Sequence, residues 1–327
     1  MQAPGKTKHL FSALILMASS LFASATYSQT LTVYTAGPGG LIKNLASGFE
    51  AETGIKVDVF QATTGKVMAR LEAEAANPRV DLLVSASWDT ALDLDQRGLL
   101  APHQSKNAAQ VPDQFKADNY IAQGIAALGI VWNTNSGTPE PKDWADLIDP
   151  AFRDKVTMPD PALSGATLDL LLGLQHSNPK EAWALLGQLR DNGMVVSGPN
   201  AQALTPVLQG AKAAVFGGVD YVTYTSIAKG ESVKVIFPAS GTVIAPRPMM
   251  IFKSSKHQDE ARRFIDYVLS EAGQAAVTNA WLMPARSDVG SRRPLFKELN
   301  VLPQDQDGSG AARGEALQRF NTLFSRH

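Results

Sequence analysis

Along the first third of the chain, strand-like patterns of apolar and polar residues alternate with helix-like patterns. A β-branched and aromatic run at residues 31–34 is followed by apolar residues at helical spacing, and Gly54 is placed to end that helix. The same succession recurs over residues 55–75, and a third strand pattern covers residues 80–84. The β-α-β-α-β order predicts a parallel sheet with helices on its faces.

A second β/α unit follows, and two long apolar runs connect it to the first. The runs are Ile121–Val131 and Val243–Phe252. We therefore expect two α/β lobes joined by extended strands, with a cleft between them. The remaining predicted elements are strands at 156–158, 213–216 and 233–237, and helices at 164–174, 179–189, 200–208, 261–269 and within 308–327.

The chain begins with the pattern of a secretory signal. Lys6 and Lys8 precede an apolar run from Leu10 to Phe22, and Ala23-Ser24-Ala25 provides small residues for cleavage. We predict a signal peptide over residues 1–28, cleaved near residues 25–28, and an exported mature protein. The alternative is an uncleaved anchor, which the shortness of the run disfavours because a bilayer span needs about 20 apolar residues.

The overall charge and the lack of cysteine exclude several classes of function. The 327 residues carry 30 Lys and Arg against 31 Asp and Glu, so the net charge is -1. This balance opposes binding to nucleic acid or to anionic lipid. There is no cysteine, which excludes disulfides, thiolate metal sites and a lipoprotein anchor.

Residues with hydroxyl groups and glycines cluster where predicted strands lead into predicted helices. Helix starts expose unpaired N–H groups and a partial positive charge, so these junctions suit an anion. The alternative is that the same residues serve only as helix caps and turns. The candidate ligand-binding residues at these junctions are Gly39, Thr63, Thr64, Lys66, Ser85, Ser87, Ser164 and Thr167.

Three further residues complete the candidate site. Asp220 and Tyr221 follow the strand pattern at 213–216 and are expected to select the organic part of a ligand. Asp220 could instead cap a helix. Arg247 lies in the second long run, where it could bind an anion through two hydrogen bonds or form an internal ion pair.

No motif in the chain supports catalysis or a resident cofactor. Gly65-Lys66 lacks the earlier glycines and the Ser or Thr of a phosphate loop. His103, His176, His257 and His327 are not spaced as metal ligands, and we expect them on the surface. A secreted esterase or phosphatase is the rival interpretation, but Ser85 and Ser87 have no recognisable partners for catalysis. We therefore expect no enzyme activity, no cofactor and no metal.

Several stretches resemble the periplasmic solute-binding proteins of ABC importers, in the group that binds ferric ion, thiamine or phosphonate. This resemblance implies the type II two-lobed fold, a permease and an ATPase as partners, and a monomer. It implies lobes formed by residues 29–126 plus 249–285 and by 127–248 plus 286–327. The stretches that carry it are Leu31–Thr35, Phe49–Val57, Asp81–Val84, Ala211–Phe216, Ala261–Leu269 and Leu282–Asp288.

The resemblance also indicates which of the possible ligands should be considered first. The ferric branch usually carries adjacent tyrosines, whereas this chain has Asp220-Tyr221, with Tyr224 further on. The sequence looks closer to the 2-aminoethylphosphonate and hexose-phosphate binders, and the run Phe60–Lys66, with Met158–Pro161 and Asp220-Tyr221, looks especially like the hexose-phosphate binders. A small phosphorylated solute is therefore the first hypothesis. Ferric iron held by Asp220, Tyr221 and Tyr224 with an anion at residues 164–167 is the second, and thiamine stacked on Trp88 is the third. A sensing role instead of transport stays open.

Overall fold

A computed structural model describes residues 1–2, 30–303 and 310–325. Residues 3–29 lie outside the described residues, and with them almost all of the predicted signal peptide. Within the described ranges, no helix has both the length and the apolar character needed to cross a membrane.

The elements follow the predicted strand and helix order closely. The strands are β1 Thr30–Thr35, β2 Lys56–Gln61, β3 Leu82–Val84, β4 Leu100–Ala101, β5 Tyr120–Asn133, β6 Val156–Met158, β7 Val195–Val196, β8 Ala214–Val219, β9 Val233–Ile236, β10 Ile244–Phe252 and β11 Met283–Pro284. The helices are α1 Gly39–Thr53, α2 Thr64–Ala73, α3 Trp88–Gln96, α4 Gly165–Ser177, α5 Pro179–Asp191, α6 Asn200–Leu208, α7 Asp220–Ile227, α8 Gln258–Val268, α9 Glu271–Asn279 and α10 Gly310–Phe324.

The strands form two groups that share β5. The main order is β2-β1-β3-β10-β5-β8-β6-β7. The parallel strands β1, β2 and β3 belong to the first lobe, and the parallel strands β6, β7 and β8 to the second. The prediction of two α/β lobes joined by long strands is therefore confirmed.

The crossing between lobes occurs in the middle of β5. Residues up to Ala127 pair with β10, and residues from Leu128 onward pair with β8 and β9. β10 pairs with the first-lobe part of β5 from Ile244 onward. Residues 244–248 therefore lie in the sheet of the first lobe, whereas the sequence-based division assigns them to the second. The exact lobe boundaries stay a prediction.

Both long strands read as apolar runs because they are covered on both faces. Every residue of β5 and every residue of β10 is buried. Such burial removes the alternation that a half-exposed strand would show. The hydrophobic core continues through these strands from one lobe to the other. β5 and β10 therefore connect the cores of the two lobes.

Helix α9 is among the helices that were not predicted. α9 is rich in alanine and glycine and has a weak apolar stripe, so periodicity alone gave no signal. It packs beside α1 and α8 in the first lobe, and Gln274 joins it to β5 through the backbone oxygen of Gln123 at 3.0 Å. This helix leads into a segment that reaches the cleft.

Candidate functional site

Strand ends and helix starts converge on one cleft between the lobes. β1, β2 and β3 are parallel, and each leads into a helix at the same edge of the first sheet. β6, β7 and β8 do the same in the second lobe. Because carboxyl ends of parallel strands meet at one edge, the loops that follow them face each other across the gap.

The cleft has a volume of about 960 Å³ and receives the first turns of five helices. This volume is sufficient for a small organic molecule. The helices that begin at the cleft are α1, α2, α4, α6 and α7.

Three of these helices, α1, α6 and α7, begin without a side-chain cap. α1 starts after Pro38 and α6 starts after Pro199, and neither proline can accept a hydrogen bond through its side chain. The first N–H groups of α1 and α6 are therefore open to an anionic ligand. α2 and α4 are capped instead: Thr63 accepts from the amide of Lys66, and Ser164 accepts from the amide of Thr167 at 3.2 Å.

Arg247 lies at the base of the cleft as a buried cation. Its side chain is 1% exposed and donates one hydrogen bond of 2.7 Å to the carbonyl of Ala36. Its guanidinium carbon lies 5.6 Å from the centre of the Tyr221 ring. Its Nε has no hydrogen-bond partner, and no carboxylate pairs with it in the described part of the chain. An unpaired buried charge is costly, so this guanidinium is prepared for an anion.

The structure divides the sequence-predicted residues into those that line the cleft and those that do not. Six line it: Thr63, Thr64, Lys66, Ser164, Tyr221 and Arg247. Five are not among its lining residues: Gly39, Ser85, Ser87, Thr167 and Asp220.

The hydroxyls that do not line the cleft bond within the protein. Ser85 donates to Thr90 Oγ1 at 3.0 Å. Ser87 donates to Asp169 Oδ1 at 2.5 Å. Thr167 donates to Ser164 Oγ at 2.9 Å. Each is buried, so these residues shape the helix starts and are not offered to a solute.

Asp220 braces the crossing point of β5. One of its oxygens accepts from the amide of Ala127 at 2.7 Å, and the other accepts from the amide of Tyr221 at 2.6 Å. Arg293 forms a buried ion pair with the same carboxylate. Burial raises the pKa of Asp220, and Arg293 together with the two amides opposes that rise. The carboxylate predicted to select the ligand is thus occupied behind the cleft wall.

Tyr224 and Trp281 join the lobes beside the cleft. Their rings stack with centres 5.8 Å apart. The guanidinium carbon of Arg293 lies 5.0 Å from the centre of the Tyr224 ring. Burial raises the pKa of the Tyr224 phenol. Trp281 lines the cleft and has a φ of 63°, a left-handed conformation that is strained for a bulky residue. Strain of this kind concentrates at functional sites.

Several lining residues escaped prediction, among them Asn200, Lys229 and Trp281. Asn200 stands at the first position of α6, donates to Ser164 Oγ at 2.8 Å, and leaves its Oδ1 buried without a partner. Lys229 follows the end of α7, and Trp281 follows α9. The only sequence signal was Pro199 before Asn200, which is typical of a helix start. Lys229 and Trp281 follow the C-terminal ends of α7 and α9 and do not stand where a strand leads into a helix, so the junction pattern gave no signal.

No group of three or more metal-ligating side chains occurs among residues 1–2, 30–303 and 310–325. The expectation that the histidines lie on the surface is wrong for His103. Its side chain is 11% exposed, with Nε2 3.3 Å from Asp266 Oδ1, and burial lowers its pKa. Trp88 packs edge-on against Tyr120 and is not among the lining residues of this cleft.

Comparison with known proteins gives a consistent result. The family model described as bacterial extracellular solute-binding protein matches residues 77–307. A periplasmic protein of Salmonella typhimurium named for 2-aminoethylphosphonate binding is 26% identical over 74% of this chain and 73% of its own length. The Fe(3+)-binding periplasmic protein of Serratia marcescens is 26% identical over 79% of this chain and 80% of its own.

A solved structure supports the fold. The periplasmic binding protein AfuA from Actinobacillus pleuropneumoniae, with fructose 6-phosphate bound, superposes with a TM-score of 0.83 at 20% identity. The match covers 90% of this chain and 98% of that one. The predicted two-lobed periplasmic-binding-protein fold is therefore confirmed.

Proposed function

Because the chain belongs to the bacterial extracellular solute-binding family, and is a periplasmic solute-binding component of an ABC transporter, we propose that it captures a small phosphorylated organic solute. The observation that carries this proposal is Arg247, a buried guanidinium at the base of the cleft that has no carboxylate partner among the described residues. A phosphate group would supply the missing negative charge and could accept two of its hydrogen bonds.

The helix starts would bind the remaining phosphate oxygens. The open amides at the start of α1 lie in the first lobe, and those of α6 lie in the second. A phosphate that bridges them would hold the two lobes together. Each helix dipole contributes about 0.3–1 kcal/mol to such binding, so several must act together with Arg247 to reach a micromolar constant of about −8.2 kcal/mol.

The lobes already touch beside this site. A Cβ atom placed on Gly165 would lie 2.9 Å from Thr64 Oγ1 and 3.0 Å from Ser87 Cβ. Such contact places the facing helix starts of the two lobes close together beside the cleft. Closure of this kind would exclude water from the phosphate and present both lobes to the permease.

Ferric iron is the rival ligand, and the described residues of the site provide few side chains suited to coordinate it. Iron would require phenolate oxygens, and burial raises the pKa of the Tyr224 phenol, which makes its phenolate less favourable in the metal-free site. Asp220, the third residue of the hypothetical iron site, is paired with Arg293.

Calorimetry tests the proposal. Inorganic phosphate and glucose 6-phosphate are titrated into the mature protein, with ferric citrate as the comparison. We expect saturable binding of a phosphate compound, and a loss of about a hundredfold in affinity for Arg247→Gln, since a charge-assisted pair is removed. Arg153→Gln, at an exposed arginine, serves as the matched control. Binding of iron without any binding of phosphate compounds would overturn the proposal.

A further inference from the structure

The cleft is lined by positive charge alone. Among the described residues that line it, none is Asp or Glu, whereas Lys66, Lys229 and Arg247 are cationic. Arg247 is buried at the base, and the two lysines are exposed. Neither lysine forms an ion pair with a carboxylate in the part of the chain that the structure describes.

Two carboxylates that are close in the chain to lining residues have internal partners. Asp220 accepts from two backbone amides and pairs with Arg293 behind the cleft wall. Asp160, just before the start of α4, accepts from the amide of Ala162 at 2.8 Å. Among the described residues that line the cleft, a ligand would therefore find no carboxylate to pair with a positive group of its own.

This arrangement opposes any ligand that carries an ammonium group. An ammonium enclosed with three cations loses its hydration without gaining an ion pair, and like charges add repulsion. Hydroxyl groups face no such cost, because neutral acceptors and donors line the cleft. Asn200 Oδ1 is buried and unpartnered, and the other neutral polar side chains include Asn44, Gln61, Thr225, Ser226 and Asn279.

We propose that the cleft selects hydroxylated organic phosphates or phosphonates and rejects their amino counterparts. This inference rests on the proposed function, since it assumes that the phosphorylated end binds at Arg247. It narrows the ligand class: a polyhydroxylated phosphate ester fits the charge of the cleft, whereas 2-aminoethylphosphonate and the cation thiamine do not.

Matched ligand pairs test the inference. Glucose 6-phosphate is compared with glucosamine 6-phosphate, and 2-hydroxyethylphosphonate with 2-aminoethylphosphonate, by calorimetry at pH 7 and low ionic strength. Within each pair that binds, we expect the hydroxyl compound to bind about tenfold tighter or more. Equal or tighter binding of the amine overturns the inference and leaves the proposed function intact. Absence of binding for all four and for inorganic phosphate overturns the proposed function and this inference together.

Two variants examine the charge of the cleft directly. Ser226→Asp adds a carboxylate to the lining and should reduce the preference for the hydroxyl compound by about threefold or more, because it gives an ammonium group a partner. Lys229→Gln should weaken binding of the hydroxyl compound by about threefold, with salt reducing the difference. Lys180→Gln, at an exposed lysine of α5, should change neither ratio. An unchanged preference in Ser226→Asp would contradict the role assigned to charge.

Discussion

Ser87 and Asp169 join the two lobes through one short hydrogen bond, in which the Ser87 hydroxyl donates to Asp169 Oδ1 at 2.5 Å. Ser87 stands before α3 in the first lobe, and Asp169 lies on α4 in the second. Arg313 of the C-terminal helix donates to Ser87 Oγ at 3.1 Å and lies 3.5 Å from Asp89. One arginine therefore serves both Ser87 and Asp89 at this contact, while Asp169 Oδ2 is buried without a partner.

The ionisation of Asp169 should make stability depend on pH. Burial and the nearby charge of Asp89 raise the pKa of Asp169 well above its ordinary value of 3.8, while Arg313 and Ser87 oppose the rise. A raised pKa in the folded state contributes stability that is complete below pH 3.8 and is lost as pH rises through the folded value. Asp169→Asn has no such proton to lose. We therefore expect the free energy of unfolding of Asp169→Asn to increase relative to that of the parent as pH rises above 3.8.

Urea unfolding of both proteins across pH 4–8 measures this difference. Ser87→Ala is the companion variant: it should cost about 1–2 kcal/mol, since it removes the lobe-to-lobe hydrogen bond between Ser87 and the buried Asp169 carboxylate. A stability difference between Asp169→Asn and the parent that does not vary with pH would contradict the raised pKa.

Gly65 permits the lobes to approach each other. A Cβ atom at this position would overlap the backbone oxygen of Ala162 in the opposite lobe. Gly65→Ala should therefore open the contact and weaken ligand binding by about tenfold, while it leaves the separate lobes folded. Calorimetry measures the affinity, and small-angle scattering measures the lobe separation.

Gly187→Ala is the matched control for this substitution. Gly187 lies within α5, and no atom stands within 4 Å of the Cβ that alanine would add. We expect a gain in stability of about 0.5–1 kcal/mol from the better helix former, with the affinity unchanged. Equal affinities for Gly65→Ala and Gly187→Ala would show that close approach at Gly65 is unimportant.

Asp220 should prove essential for stability and not for ligand contact. Asp220→Asn leaves Arg293 buried without a countercharge, which costs about 3–5 kcal/mol. The combination of Asp220→Asn with Arg293→Met should recover part of this loss, because it removes the isolated charge. Urea unfolding of the parent, the single variants and the double variant measures the coupling. Ordinary stability of Asp220→Asn, joined to a loss of affinity, would instead support the ligand role first assigned to this residue.

In contrast to Asp220, Arg247 should prove essential for ligand binding and not for stability. Arg247→Met keeps most of the side-chain volume and removes a buried charge that has no carboxylate partner. We expect the ligand-free protein to keep its stability or gain about 1 kcal/mol, while phosphate binding is lost. Thermal unfolding with and without phosphate measures both effects. A strong loss of stability without ligand would indicate a structural role for the guanidinium.

The candidate site could be predicted in part because helix starts leave local signals. Thr63 and Ser164 precede the helices they cap, and both line the cleft as expected. Ser85 and Ser87 carry the same signal after β3, yet they bond within the protein. The local sequence around such a hydroxyl is similar whether it lines the cleft or bonds within the protein, because its bonding partner is set by residues that are distant in the chain.

The sequence by itself determined the order of strands and helices and the two apolar connections, because these follow from the local spacing of apolar residues and from glycine and proline. It also determined that helix starts would gather at one edge of each sheet, since parallel strands point the same way. Only the tertiary structure decided which side chains face the cleft. Asp220 is 93 residues from its partner Ala127, and Ser87 is 82 residues from Asp169. Contacts over such distances depend on how the lobes pack, and that packing paired Asp220 while it left Arg247 without a countercharge.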